Sequence, residues 1–170
     1  IVFRLGAMSA AGDCNLKLSQ QGLQAIRTEI DWKAPMPQAR ADAVMRRLAL
    51  DYVRGYLEKG NAGLAVYRDS ARPTFVAEEL RSLVDQMPAL SASIPALRRY
   101  LLEYPAATLP DAASFLYWQE TQFGLKPTIR ISHLVIVPGA EESLIASKML
   151  YATHYFWTAL ELRTLFPDPS

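Results

Sequence analysis

The chain has two histidines, His133 and His154, the side chains best suited to proton transfer near neutral pH. His133 lies in the run Thr128 to Val137, which is dense in β-branched residues. The segment Pro138-Gly139-Ala140-Glu141-Glu142 separates that run from a second extended one, Ser143 to Ala152. This pattern predicts an antiparallel hairpin. The register of the hairpin then decides which side chains accompany His133.

A turn made of the five intervening residues places Ser147 opposite His133 and Tyr151 opposite Ile129. Because alternate residues of a strand share a face, His133, Ser147 and Tyr151 would then lie on one apolar face. Two interpretations stay open. In one, His133 is a core histidine whose ring is hydrogen-bonded to the Ser147 hydroxyl or to a backbone group. In the other, the three side chains form a wall of a pocket for a mostly apolar ligand.

The second histidine, the single cysteine and the absence of known sequence motifs speak against a metal site or a known catalytic site. On the same register His154 lies roughly 20 Å from His133, at about 3.3 Å per residue. The single cysteine, Cys14, cannot complete a cysteine-rich zinc site or form an intramolecular disulfide. The sequence has no G-x-S-x-G, Walker A, G-x-G-x-x-G or H-E-x-x-H motif. We therefore expect no metal, no cofactor and no catalytic residue.

Composition and charge exclude further classes of protein. The 170 residues include 18 basic and 17 acidic side chains, for a net charge of +1, whereas nucleic-acid binders usually carry a basic surplus. No apolar run reaches the length of a membrane span. With 51% hydrophobic residues the chain is typical of a folded domain, and its length predicts a single one over 1–170.

The chain begins inside an apolar run, Ile1-Val2-Phe3-Arg4-Leu5, without an initiator methionine. This start predicts a chain trimmed at its N-terminus. Removal of a signal peptide or an engineered boundary would both produce it. We favour the former, which places the protein outside the cytoplasm of a bacterium, in the periplasm or secreted.

The spacing of apolar residues predicts the helices and strands that position the candidate residues. Apolar residues recur at helical spacing from about Ser19 to Gly124 and at the spacing of extended strands from Lys126 onward. Each predicted helix has a capping or stopping residue at one end. The five are Ser19 to the Ala34-Pro35-Met36-Pro37 stop, Gln38 to Lys59 ending at Gly60-Asn61-Ala62-Gly63, Thr74 to Met87 limited by Pro88, Pro95 to Tyr104, and Asp111 to Gly124.

The C-terminal part predicts a sheet. After the hairpin, Tyr155 to Phe166 reads as a third strand, with a terminal helix over Tyr155 to Leu165 as the alternative. The runs Ile1 to Leu5 and Cys14 to Leu18 could add edge strands. The predicted fold is α+β, with about five N-terminal helices packed on a C-terminal antiparallel β-meander.

Two adjacent aromatic residues of the fifth predicted helix, Tyr117 and Trp118, cannot both face the core, so one of them suits a pocket or an interface. The sequence thus predicts a non-catalytic domain that binds a small apolar or lipid-like ligand between helices and sheet. His133, Ser147, Tyr151, Trp118 and Tyr117 are the predicted ligand-binding residues. Two alternatives remain: an enzyme that uses His133 with Tyr151 or a carboxylate for proton transfer, and an assembly module with an exposed strand or aromatic patch.

Overall fold

A computed structural model describes residues 16–68, 70–122 and 126–167 of the chain. The chain divides into two compact units, Ile1–Phe75 and Val76–Ser170. The single domain over 1–170 that the length predicts stays a prediction. Among the helices of the described residues, none has the length and apolar character needed to cross a membrane.

The first unit contains two helices, α1 (Gln20–Glu29) and α2 (Pro37–Lys59), then a short 3-10 helix (Gly60–Gly63) and two short paired strands, β1 (Val66–Tyr67) and β2 (Thr74–Phe75). The Ser19 hydroxyl accepts a hydrogen bond from the Gly22 amide at 3.1 Å, which confirms the predicted N-cap of α1. Gly60 ends α2 at a φ of 58°, a conformation that favours glycine.

The second unit holds three helices and four strands: α3 (Val76–Asp85), α4 (Pro88–Ser93), α5 (Pro95–Glu103), β3 (Ala113–Thr121), β4 (Thr128–Val137), β5 (Ser143–Ala152) and β6 (Ala159–Leu165). The strands pair antiparallel in the order β3-β4-β5-β6. The fold is therefore α+β, with a C-terminal meander as predicted. The predicted bounds of the hairpin strands, 128–137 and 143–152, are confirmed.

The helix predicted from Asp111 to Gly124 is wrong, because its described part forms strand β3. Nine consecutive residues of β3 pair with β4, so the backbone of this aromatic-rich segment forms its hydrogen bonds within a sheet. Asp111 has a φ of 60°, which is incompatible with the start of a right-handed helix. Phe123 and Gly124, assigned to that helix, lie outside the described residues.

Three other boundaries differ from the sequence-based expectation. Pro88 occupies the first turn of α4, a helix that the sequence pattern does not predict, instead of only limiting α3. Thr74, the predicted cap of the third helix, lies in strand β2. The predicted third strand, Tyr155 to Phe166, is confirmed with narrower bounds as β6, and the alternative terminal helix is wrong.

The predicted N-terminal edge strands are tested only in part. Ile1 to Leu5 and Cys14 lie outside the described residues, and Leu16 to Leu18 belongs to no strand. The Leu18 carbonyl instead accepts a hydrogen bond from the Arg68 amide at 3.0 Å. This segment therefore contacts the chain beside β1 without forming a strand.

The register of the β4–β5 hairpin differs from the predicted one by one residue. Val137 pairs with Leu144 instead of Ser143, and His133 pairs with Lys148 instead of Ser147. A further irregularity between Ile131 and Ser132 shifts the pairing again. The turn takes up one more residue than the sequence pattern suggested, and a one-residue slip moves a whole strand's side chains to the other face.

The core of the second unit lies between its helices and one face of the sheet, called here the helix face. Its members have no exposed surface: Val76, Leu80, Val84, Leu97, Leu101, Val135, Ala146 and Leu150. Burying a leucine or valine side chain stabilises the fold by about 1.5–3 kcal/mol. This layer therefore holds the helices against the strands that carry His133.

Candidate functional site

The observed register brings a lysine and a histidine together on the helix face of the sheet. Lys148 pairs with His133 across β4 and β5, and the two side chains are 0% and 2% exposed. A lysine is almost never buried this fully, because its ammonium group loses hydration. In the sequence the only signal is a lysine at alternate spacing with the apolar Leu144, Ala146 and Leu150, and the predicted register had placed His133 on the opposite face from it.

The Lys148 amine connects the sheet to a helix. Its Nζ donates a hydrogen bond to the Leu101 carbonyl oxygen at 3.0 Å. Leu101 lies in the last turn of α5, where carbonyl groups have no partner within the helix. A cation is also favoured at this end of a helix by the direction of the backbone dipoles. Lys148 thus acts as a C-terminal cap that is delivered from a strand.

Two tyrosines lie next to Lys148 and His133: Tyr100 in α5, and Tyr104 directly after it. The ring of Tyr104 meets the His133 ring edge-on at 4.8 Å between centroids, and the Tyr100 ring lies 5.9 Å from the same imidazole. The Lys148 Nζ lies 5.8 Å from the centroid of the Tyr104 ring. We call Lys148, His133, Tyr100 and Tyr104 the Lys148 cluster. The Tyr100 hydroxyl is also within hydrogen-bond distance, 3.2 Å, of the Ser114 hydroxyl on β3.

Burial sets the protonation of the Lys148 cluster. It lowers the pKa of Lys148 to about 7, because the charged amine is desolvated. Desolvation, and then the positive charge of Lys148, lower the pKa of His133 to about 4. The pKa of Tyr104 is raised, first by desolvation and then by Tyr100. At neutral pH His133 is therefore neutral, and Lys148 lies close to the midpoint of its titration.

The other predicted ligand-binding residues do not join His133. Tyr117 and Ser147 lie on the opposite face of the sheet, where their hydroxyl groups are 3.2 Å apart across β4. The expected hydrogen bond between His133 and Ser147 is wrong for the same reason, since the two side chains point to opposite faces. The structure thus splits the predicted constellation into two groups, one on each face.

Tyr151 and Trp118 both lie beside Ile131, on the two strands that flank it. Tyr151 is half-buried, and Trp118, on the edge strand β3, is 52% exposed. The predicted positions, Tyr151 opposite Ile129 and Trp118 on a helix, are both wrong. The rings that contact His133 belong instead to Tyr100 and Tyr104. The enzyme alternative based on His133 with Tyr151 gains no support from these positions.

The chemistry open to the Lys148 cluster is that of an amine near its pKa, a neutral imidazole and a phenol, all inside an apolar layer. Within the described ranges of the chain, no three histidine, cysteine, aspartate or glutamate side chains are placed to share a metal ion. An amine in such a setting can form strong charge-assisted hydrogen bonds with an anion, because little water competes. Comparison of the chain with protein-family models, with curated proteins and with solved structures gave no match.

Proposed function

We propose that this chain is a non-catalytic binding domain for a small molecule that joins an apolar body to one acidic group. In this proposal the ligand is held between α5 and the sheet, with its acidic group at the Lys148 amine. The observation that carries the proposal is a fully buried lysine, with a pKa of about 7, in the middle of an apolar layer. Strongly shifted titratable groups are common at functional sites.

The physical argument is one of charge compensation. Burial makes the ammonium form of Lys148 unfavourable, and an anion at hydrogen-bond distance would restore it. The Leu101 carbonyl already holds that amine in place through a hydrogen bond of 3.0 Å. The ligand's charge would therefore be stabilised by a group that the fold already holds in place.

The layer that holds the amine favours an apolar body on the ligand. Leu97, Leu101, Val135 and Leu150 belong to this layer and are fully buried. His133, neutral at pH 7 because its pKa is about 4, adds no second positive charge. A ligand with one negative group is therefore better matched to the layer than one with two.

Tyr104 marks the side from which such a ligand would enter. It is half-buried, whereas Tyr100, His133 and Lys148 are buried, and it directly follows the last residue of α5. We expect a rotation of its ring, which lies 5.8 Å from the Lys148 Nζ, to uncover the amine. Side-chain motions of partly exposed residues are fast compared with ligand exchange.

The test compares a long-chain fatty acid with the alcohol of the same length, by titration calorimetry at about pH 6.5. We expect the wild-type protein to bind the acid about tenfold or more tightly than the alcohol, since a charge-assisted hydrogen bond contributes about 1.5–3 kcal/mol. Lys148→Met, which keeps an unbranched apolar side chain, should remove that preference. Lys126→Met, at an exposed lysine of the same unit, should leave it unchanged.

Native mass spectrometry of freshly purified protein adds an independent readout, a retained acidic lipid-sized molecule. Failure of the wild-type protein to bind either probe, or equal binding of acid and alcohol, would overturn the proposal. If Lys148→Met does not fold, Tyr104→Ala replaces it. Removal of the half-buried ring should speed association of the acid, and an unchanged rate would contradict entry past Tyr104.

A further inference from the structure

Strand β6 forms one edge of the four-stranded sheet. In the part of the chain that the structure describes, no strand pairs with it on the side away from β5. An edge strand presents backbone N–H and C=O groups that can pair with another chain. The exposed side chains of β6 carry a charge pattern that identifies such a partner.

We propose that a second copy of this chain pairs antiparallel with β6, centred on Leu162, so that two sheets join into one of eight strands. This is an isologous contact, in which each copy uses the same strand. The contact uses the sheet edge and not the Lys148 cluster, so it stands or falls separately from the proposed ligand.

Charge complementarity supports this pairing. In an antiparallel pair centred on Leu162, Glu161 of each copy lies directly opposite Arg163 of the other. Both side chains are more than half exposed, and within one chain the Arg163 Nε already donates to Glu161 Oε1 at 2.8 Å. They therefore project on the same face, two residues apart. The second copy would complete a rectangle of four alternating charges, and opposite charges across strands stabilise pairing.

The apolar residues at the end of β6 support the same register. Leu165 and Phe166 are 52% and 72% exposed, unusually high values for such large apolar side chains. The pairing places Leu165 opposite Ala159 and Phe166 opposite Thr158 of the second copy. Apolar surface that is exposed in the single chain would be covered on both sides of the two-fold axis.

The other edge of the sheet lacks this complementarity. Strand β3 contains a single charged residue, Glu120. An antiparallel pair centred on its middle residue, Tyr117, would place Glu120 opposite Ser114 and form no ion pair. Both strands are edges of the sheet, but of the two only β6 would place opposite charges across the pair, at residues 161 and 163. Glu120 therefore provides a control site on a comparable strand.

The experiment measures mass by sedimentation equilibrium from about 1 µM to about 1 mM protein, the range expected for a small interface. We expect wild-type protein to approach twice the 19.0 kDa mass of the chain. Glu161→Arg and Arg163→Glu should each raise the dimer dissociation constant by about tenfold or more, because like charges then face each other twice. The double variant E161R/R163E should restore the wild-type constant, and Glu120→Arg should not change it.

Mixing the two single variants separates loss of pairing from loss of folding. A strand with two arginines then faces a strand with two glutamates, so the mixture should form a heterodimer although each variant alone does not dimerise. Circular dichroism of each variant checks the fold. A wild-type monomer over the whole range, unchanged single variants, or a double variant and a mixture that both stay monomeric would each overturn the proposal.

Discussion

The amine of Lys148 donates a hydrogen bond to the carbonyl oxygen of Leu101 at 3.0 Å, and this bond ties strand β5 to the end of α5 inside the core. Two opposing effects meet at this contact. The helix end favours a positive charge, whereas complete burial disfavours it. The effect of burial is larger than that of the helix end, since the pKa of Lys148 is lowered to about 7. The contact is therefore sensitive to pH near neutrality.

The first prediction concerns stability above neutral pH. The Lys148 pKa is about 7 in the folded chain and near 10.5 when the side chain is solvated. Between these values the unfolded chain binds the proton and the folded chain does not, so the free energy of unfolding should rise with pH. The upper limit of the rise is roughly 3–5 kcal/mol. Lys148→Met should remove it, as measured by urea unfolding at several pH values. Lys126→Met should keep the wild-type slope, and an equal slope in Lys148→Met would contradict the assignment.

The second prediction concerns acid. Burial and the charge of Lys148 lower the pKa of His133 to about 4, so the unfolded histidine takes up its proton first as the pH falls below about 6.5. Stability should therefore fall between about pH 6.5 and about pH 4, by up to roughly 3 kcal/mol from this residue. His133→Phe should make the acid dependence shallower, whereas His154→Phe should not. An NMR titration of the His133 ring that gave an ordinary histidine pKa would show that burial does not act as described.

The third prediction uses two glycines near the end of α2. A Cβ at Gly55 would meet nothing within 4 Å, whereas a Cβ at Gly63 would lie 2.6 Å from the Gly55 carbonyl oxygen. Gly55→Ala should stabilise the protein by about 0.5–1 kcal/mol, because alanine loses less entropy in a helix. Gly63→Ala should destabilise it by about 1–3 kcal/mol, since a backbone must shift. Thermal unfolding of both variants checks the contrast, and equal effects would contradict the close approach.

The fourth prediction follows from the proposed ligand. Binding of an acidic group requires protonated Lys148, whose pKa in the free protein is about 7. Affinity for a fatty acid should therefore be greatest below pH 7 and fall by up to about tenfold per unit above it, with proton uptake on binding. Calorimetry in buffers of different ionisation enthalpy measures that uptake. Uptake that is unchanged in Lys148→Met would place the acidic group elsewhere.

The sequence predicts the burial of His133 but not which side chains surround it. His133 was expected on an apolar face, and it lies there. The sequence pattern places Lys148 on the opposite face, because the five-residue turn that it predicts is one residue shorter than the observed turn. Tyr100 and Tyr104 belong to the predicted helix Pro95 to Tyr104, but nothing local indicates that their rings meet the histidine. Those contacts depend on how α5 packs, which is a non-local property.

By itself the sequence determined the class of fold, the start of α1, the end of α2 and the two strands of the hairpin. These features depend on local chemistry: a serine cap, terminal glycines and runs of β-branched residues. Tertiary structure alone decided that residues 113–121 form a strand and that Lys148, not Ser147, accompanies His133. The physical reason is that strand pairing is settled by distant partners, and the side-chain period of two turns a one-residue shift into a change of face.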